Sequence, residues 1–238
     1  MGFYIIRLSM INANGKEQLL LRNPADTKGG FWLTYIVDGV LYEVCATEKE
    51  SISIVSKESE KGRVRIVLNH KPIGYDSPIA KFDIEVWSCN TPIMLIRHKV
   101  TNLSDDVIED MKLYNLMDFD IGGPSSYKDD IGIYEENIDV ISVYDDNLLC
   151  VAMASKPVPD AWEIASPLKL KVSKENRDLK KNLEFGPKDV ATGLQWNHGN
   201  LEPNETKTVD IVLTCSTNLD ETKALIKDTW ELFEKKIR

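Results

Sequence analysis

Apolar and polar residues alternate with a period of two along most of the chain. That period predicts strands buried on one side and wet on the other. In GRVRIVLNH (62–70), Val64, Ile66 and Leu68 share one face, with Arg63, Arg65 and Val67 on the other. In AKFDIEVWSC (80–89), Phe82, Ile84 and Val86 line up opposite Asp83, Glu85 and Trp87. TVDIVLTCS (208–216) sets Val209, Ile211, Leu213 and Cys215 against Thr208, Asp210, Val212 and Thr214.

Turn residues punctuate these runs. Asp38-Gly39 inside YIVDGVLY (35–42) is a two-residue hairpin signal, because both residues tolerate the left-handed backbone that such a turn needs. VYDDNLLC (143–150) predicts a second hairpin bending at Asp145, Asp146 and Asn147, and Ser104-Asp105-Asp106 a third. Turns this frequent point to a sandwich and away from alternating βα units.

Two stretches carry helical signals. Residues 174–184, KENRDLKKNLE, are polar and helix-prone. The stronger signal is TNLDETKALIKDTWELFEKKIR (217–238), where Thr217 or Asn218 can cap and Asp220 and Glu221 suit the first turn. Lys235, Lys236 and Arg238 suit its last turn, and Ile226, Trp230, Phe233 and Ile237 fall at helical spacing. The expected organisation is one β-sandwich domain over 1–217 and a C-terminal helix over 218–238, packed on the domain or on a partner.

The composition narrows the function classes. A chain of 238 residues with 42% hydrophobic and 28% charged residues can bury a core without disulfides or metal. A net charge of −9 argues against nucleic acid and against anionic membrane surfaces. No apolar run is long enough to span a bilayer, and the N-terminal run is interrupted by Arg7, so a cytoplasmic protein is expected. Cys45, Cys89, Cys150 and Cys215 lie apart in strand-like runs and read as buried free thiols.

Candidate chemistry is sparse. MDFDIGGPSSYKDD (117–130) aligns Asp118, Asp120, Gly123 and Asp129 with positions of a calcium loop, but Gly122 occupies a ligand position and the flanks read as strands. The reading favoured is a strand-end turn with hydrated carboxylates. The alternative is a Ca²⁺ site built on Asp118, Asp120 and Asp129. His98 shares the apolar face of PIMLIRHKV (92–100) with Met94, Ile96 and Val100, which suits a hydrogen-bonded core histidine and, as an alternative, a ligand-binding or proton-transfer group. His198 reads as a loop residue. Trp162, in the proline-punctuated SKPVPDAWEIASP, is a loop aromatic that either plugs the core or stacks on a sugar. Metal-ligand and nucleophile motifs such as HExxH, GxSxG and the P-loop do not occur.

Three passages carry a resemblance: GGFWLTYIVDGVLYE, RHKVTNLSDDVIEDMKLYNLMDFDIGG, and ATGLQWNHGNLEPNETKTVDIVLTCSTNLDETKALI. Their order of hairpin, long aspartate-ended strand, late strand and helix resembles the galactose-mutarotase-like supersandwich domains. It is most similar to the N-terminal β domain of prokaryotic glucoamylase-type glycoside hydrolases. The resemblance implies an all-β fold of two large antiparallel sheets and a carbohydrate-associated ancestry. In those hydrolases the catalytic acid and base lie in a following helical barrel, and this chain stops where that barrel would begin, so no catalytic residue is carried over. Mutarotases use a histidine and a carboxylate on the concave sheet, a comparison that His98 fits only loosely.

The expectation is therefore a non-catalytic module that binds a sugar, or a partner protein through the C-terminal helix, with no cofactor. The alternatives are a mutarotase- or epimerase-like enzyme using His98 with a carboxylate, and a Ca²⁺-stabilised structural protein.

Overall fold

The computed structural model describes residues 7–11, 15–22, 30–44, 51–88, 91–123, 126–146, 149–172, 175 and 177–236. Cys45 and Cys89 lie outside the described residues, while Cys150 and Cys215 are buried free thiols. The first strands are β1 (Arg7–Ile11), β2 (Glu17–Arg22), β3 (Gly30–Val37), β4 (Val40–Val44), β5 (Ile52–Glu60) and β6 (Arg63–His70). β7 (Ala80–Ser88), β8 (Ile93–Asn102), β9 (Ile108–Phe119), β10 (Ile131–Glu135) and β11 (Val140–Tyr144) follow. The remainder are β12 (Cys150–Lys156), β13 (Ala161–Ala165), β14 (Glu184–Phe185), β15 (Val190–Leu201), β16 (Thr206–Ser216) and helix α1 (Leu219–Lys236).

These strands form two antiparallel sheets. A seven-stranded sheet runs β1-β2-β9-β15-β13, with β3 on the flank of β9 and β4 beyond it. A nine-stranded sheet runs β14-β10-β11-β12-β16-β8-β7-β6-β5. The period-two faces meet between them, where Leu33, Phe82, Ile96, Leu113, Trp196 and Ile211 are all buried. Each such side chain contributes about 1.5–3 kcal/mol by leaving water. A slip of one residue in any of these strands would turn its apolar set to solvent, so burial fixes the register.

The hairpin at Asp38-Gly39 forms with both residues at positive φ, 52° and 72°, joining β3 to β4. β11 and β12 pair as a hairpin too, with Tyr144 opposite Cys150. The turn at 104–106 differs from the expectation. It joins β8 of one sheet to β9 of the other, so it is a crossover and not a hairpin. Asn102 shapes it: the side-chain amide donates to the carbonyls of Asp106 (2.8 Å) and Leu201 (3.0 Å), and its oxygen accepts from Ser104 N (2.9 Å).

The polar stretch 174–184 is not helical in its described residues. Lys181 sits at φ 58°, which no right-handed helix contains. Among its described residues, Leu179 is the apolar anchor buried against the seven-stranded sheet.

Helix α1 forms where the charge pattern places it. Asn218 caps it, its Oδ1 accepting from Glu221 N at 2.9 Å. Its apolar stripe lies on the outer face of the nine-stranded sheet, where Ile226 and Phe233 are buried with Trp87, Leu95, Ala152 and Val212. Phe233 meets Trp87 edge-on at 5.6 Å, and the Arg97 guanidinium lies 5.3 Å from its centroid. Asp210 holds that guanidinium bidentately, at 2.6 and 2.7 Å. Phe233→Ala should lower stability by about 3–4 kcal/mol in urea unfolding; an unchanged midpoint would place the helix off the sheet.

Candidate functional site

The side chains most out of keeping with their surroundings are carboxylates where β9 leaves the sheet. Asp118 faces outward from β9 opposite Ala191, two residues beyond the buried Leu116. The chain then turns through Gly122 and Gly123, both at positive φ (74° and 88°). A Cβ at Gly122 would lie 2.9 Å from an Asp145 oxygen and 2.9 Å from Ser126 Oγ, so glycine lets the turn close onto them. Ser126 Oγ donates to Asp145 Oδ2 at 2.7 Å, and Leu149 N donates to Asp145 Oδ1 at 3.2 Å. Asp130 is fully buried, and its Oδ2 accepts from Ile121 N at 3.1 Å. Lys188 N donates to the Asp130 carbonyl at 2.9 Å, which brings Asp189 to the same corner.

Burial and crowding of like charge set the electrostatics. Burial raises Asp118 to about 7, with Asp120 and Asp189 adding repulsion. Burial raises Asp130 to about 9; the Ile121 hydrogen bond opposes this, and Asp145, Asp120 and Asp189 reinforce it. Burial raises Asp189 as well. Asp130 is therefore a neutral acid at pH 7, and Asp118 is poised to exchange a proton there.

The structure thus groups Asp118 and Asp120 with Asp130, Asp145 and Asp189, while Asp129 is exposed on the turn. Among the described residues no three His, Cys, Asp or Glu side chains converge so as to hold a metal ion. Sequence spacing offered Asp129 as the last ligand of the loop, but the partners that matter, Asp145 and Asp189, come from the turn after β11 and the turn before β15. The only local hint of the close approach was the Gly122-Gly123 pair.

His98 faces the inter-sheet core at 2% exposure and packs on the Phe31 ring at 4.6 Å. Neither ring nitrogen has a hydrogen-bond partner among the described residues, contrary to the hydrogen-bonded histidine expected. Burial alone lowers its pKa to about 3, so the ring is neutral. Trp162 is on β13 and not in a loop. It is buried, stacked on Tyr134 at 3.8 Å, and donates through Nε1 to the Asn182 carbonyl at 3.0 Å. His198 lies at a register shift within β15.

No sequence signal marks the cover on the outer face of the seven-stranded sheet. Leu170, Val172 and Leu179, from the segment between β13 and β14, bury Trp32, Tyr114 and Leu116. Polar contacts fasten this cover. Arg177 reaches Thr34 Oγ1 (3.0 Å) and Asp110 (2.5 Å), and Lys112 Nζ reaches Asp178 (2.8 Å). The Asn182 side chain behaves like a strand, accepting from Ile164 N at 2.9 Å and donating to Ile164 O at 2.5 Å.

The chain has the galactose-mutarotase-like sandwich fold and resembles glucoamylase-type domains. A bacterial glucoamylase solved with acarbose matches at 17% identity and TM-score 0.61, over 87% of this chain and 28% of that chain. A GalM/aldose epimerase homologue from C. elegans matches at 12% identity and TM-score 0.56, over 90% and 92% respectively. A polysaccharide lyase matches at 9% identity and TM-score 0.56, over 95% and 32%. This chain therefore spans under a third of the glucoamylase and lyase chains, and nearly all of the epimerase homologue. No protein-family model and no curated protein matches the chain. No helix among the described residues is long and apolar enough to cross a membrane.

The raised carboxyls predict a pH dependence. A carboxyl with a folded pKa above its unfolded value adds stability that is complete below the unfolded value near 3.8. That stability is lost as pH rises through about 7 for Asp118 and about 9 for Asp130. Asp130→Asn keeps the acceptor for Ile121 N and removes the charge. It should melt nearly with the parent near pH 4 and progressively above it as pH rises, by roughly 10 °C or more at pH 9. A lower melting temperature for the variant at pH 9, with a further loss in the parent on adding EDTA, would instead mean that a cation neutralises the cluster.

Proposed function

We propose that this chain is a non-catalytic, carbohydrate-associated β-sandwich module that works beside a partner. The observation that carries this reading is that the chain's own segments cover the apolar part of each outer sheet face, α1 over β11, β12 and β16 on one and Leu170, Val172 and Leu179 on the other. An acid–base pair for sugar chemistry has to reach a bound hydroxyl. His98 does not offer an accessible group for that role, since it lies behind Phe31 in the core. The likeness to a 28% portion of a glucoamylase chain supports a module that accompanies a larger assembly. A partner at the C-terminal helix would meet its charged outward side, because Ile226 and Phe233 are turned into the sheet.

One observation favours a second reading, a mutarotase- or epimerase-like enzyme. Asp118, at 9% exposure and a pKa of about 7, would then move the proton in place of His98. Polarimetry of fresh α-glucose and α-galactose, with and without the full chain, separates the two. The module reading expects the buffer rate in both. Acceleration abolished by Asp118→Asn would overturn it in favour of the enzyme.

A further inference from the structure

The end of the sandwich at the β3–β4 turn carries an aromatic and carboxylate arrangement that neither sheet face needs. Tyr42 on β4 and Tyr75 in the 71–79 loop are only half-buried, and their rings meet nearly at right angles, 6.2 Å apart and 80° between planes. Tyr75 Oη donates to Asp38 Oδ2 at 2.9 Å. Asp38 itself is exposed at the tip of the turn.

The corner is rigid from behind. Tyr35 lies 5.6 Å from Tyr42, and its hydroxyl is 2.6 Å from His70 Nδ1. Both Tyr35 and His70 are wholly buried. Hydrogen bonds at both ends of the loop hold Tyr75 in place, from Tyr75 N to Pro72 O (3.2 Å) and from Ile79 N to His70 O (2.9 Å). Within the same two elements, Ile73 of the loop is 90% exposed and Val40 of β4 is 49% exposed. Half-buried tyrosine rings, exposed apolar residues on the same two elements and one oriented carboxylate are matched by a ligand with a C–H face and a rim of hydroxyl donors. The Asp38 charge and the net charge of −9 disfavour anions.

We propose that Asp38, Tyr42 and Tyr75 form a binding subsite for a neutral pyranose, such as the end of a glycan, with the ring stacked on tyrosine and a hydroxyl donating to Asp38. The subsite rests on the carbohydrate half of the proposed function and gives that half a place on the molecule. The Tyr75 hydroxyl acts as a positioning group, holding Asp38 in line with the rings.

The test is a titration of the ¹⁵N-labelled full chain with methyl α-glucoside, methyl β-galactoside and maltose to about 0.1 M, where millimolar binding saturates. Asp38→Asn and Tyr75→Phe, which keep size and ring, are titrated in parallel. The expected result is saturable shifts centred on Asp38, Gly39, Tyr42 and Tyr75, with Kd raised about tenfold by either substitution. Saturable shifts elsewhere, untouched by both substitutions, would overturn this subsite and leave the carbohydrate-associated module standing. No saturable shift with any of the sugars would overturn the subsite together with that half of the proposed function.

Discussion

A two-sheet sandwich has four faces, and only two of them meet. Burial of the apolar parts of the other two is the constraint on which the rest of this molecule depends. β8 and β16 illustrate it: their inward residues fill the core, and their outward residues Leu95 and Val212 are just as buried. Such strands are apolar on both sides over part of their length and need a third layer. Helix α1 supplies that layer on the nine-stranded sheet. A non-helical segment supplies it on the seven-stranded one, through three apolar anchors and a border of side-chain hydrogen bonds.

That solution decides where chemistry can occur. With the apolar part of each broad face covered, the groups of interest are at the ends of the sandwich, where strands leave one sheet for the other. The aspartate cluster at the end of β9 and the tyrosine corner at the β3–β4 turn are both of this kind. Burial also gives the molecule opposed titrating groups. His98 and His70, lowered to about 3 and about 4 by burial, contribute stability present above pH 6.5 and lost as pH falls. Asp118 and Asp130 contribute stability lost as pH rises. The native state is therefore favoured between these limbs.

The strands were legible because one-sided burial writes itself as a period of two. GRVRIVLNH and TVDIVLTCS are β6 and β16 almost to the residue. Helix α1 was legible from its cap and charge order. What the chain conceals is which elements meet. Ser104-Asp105-Asp106 has hairpin chemistry but joins two sheets, since a turn does not encode whether the next strand pairs. Residues 174–184 have helix-forming composition, yet contacts with Thr34, Gln195 and Ile164 hold the described ones of them in a non-helical path, a tertiary override of local propensity. Trp162 lies between prolines, yet it is a strand residue stacked on Tyr134. The aspartate cluster joins residues from four separate segments, so only its Asp118–Asp130 part lay within a readable window.

The central claim is that the chain's own segments cover the apolar part of each outer sheet face as part of the fold. Native-state hydrogen exchange tests it most directly at the amides of Ile164, Leu179 and Lys181, whose acceptors are Asn182 Oδ1, Gln195 Oε1 and the Trp162 carbonyl. If the cover is part of the fold, these amides exchange as slowly as those of β9 and β15, through global unfolding. Exchange of the three well ahead of the strands beneath them would mean that the cover lifts in the native state. The outer face of the seven-stranded sheet would then be an accessible cleft.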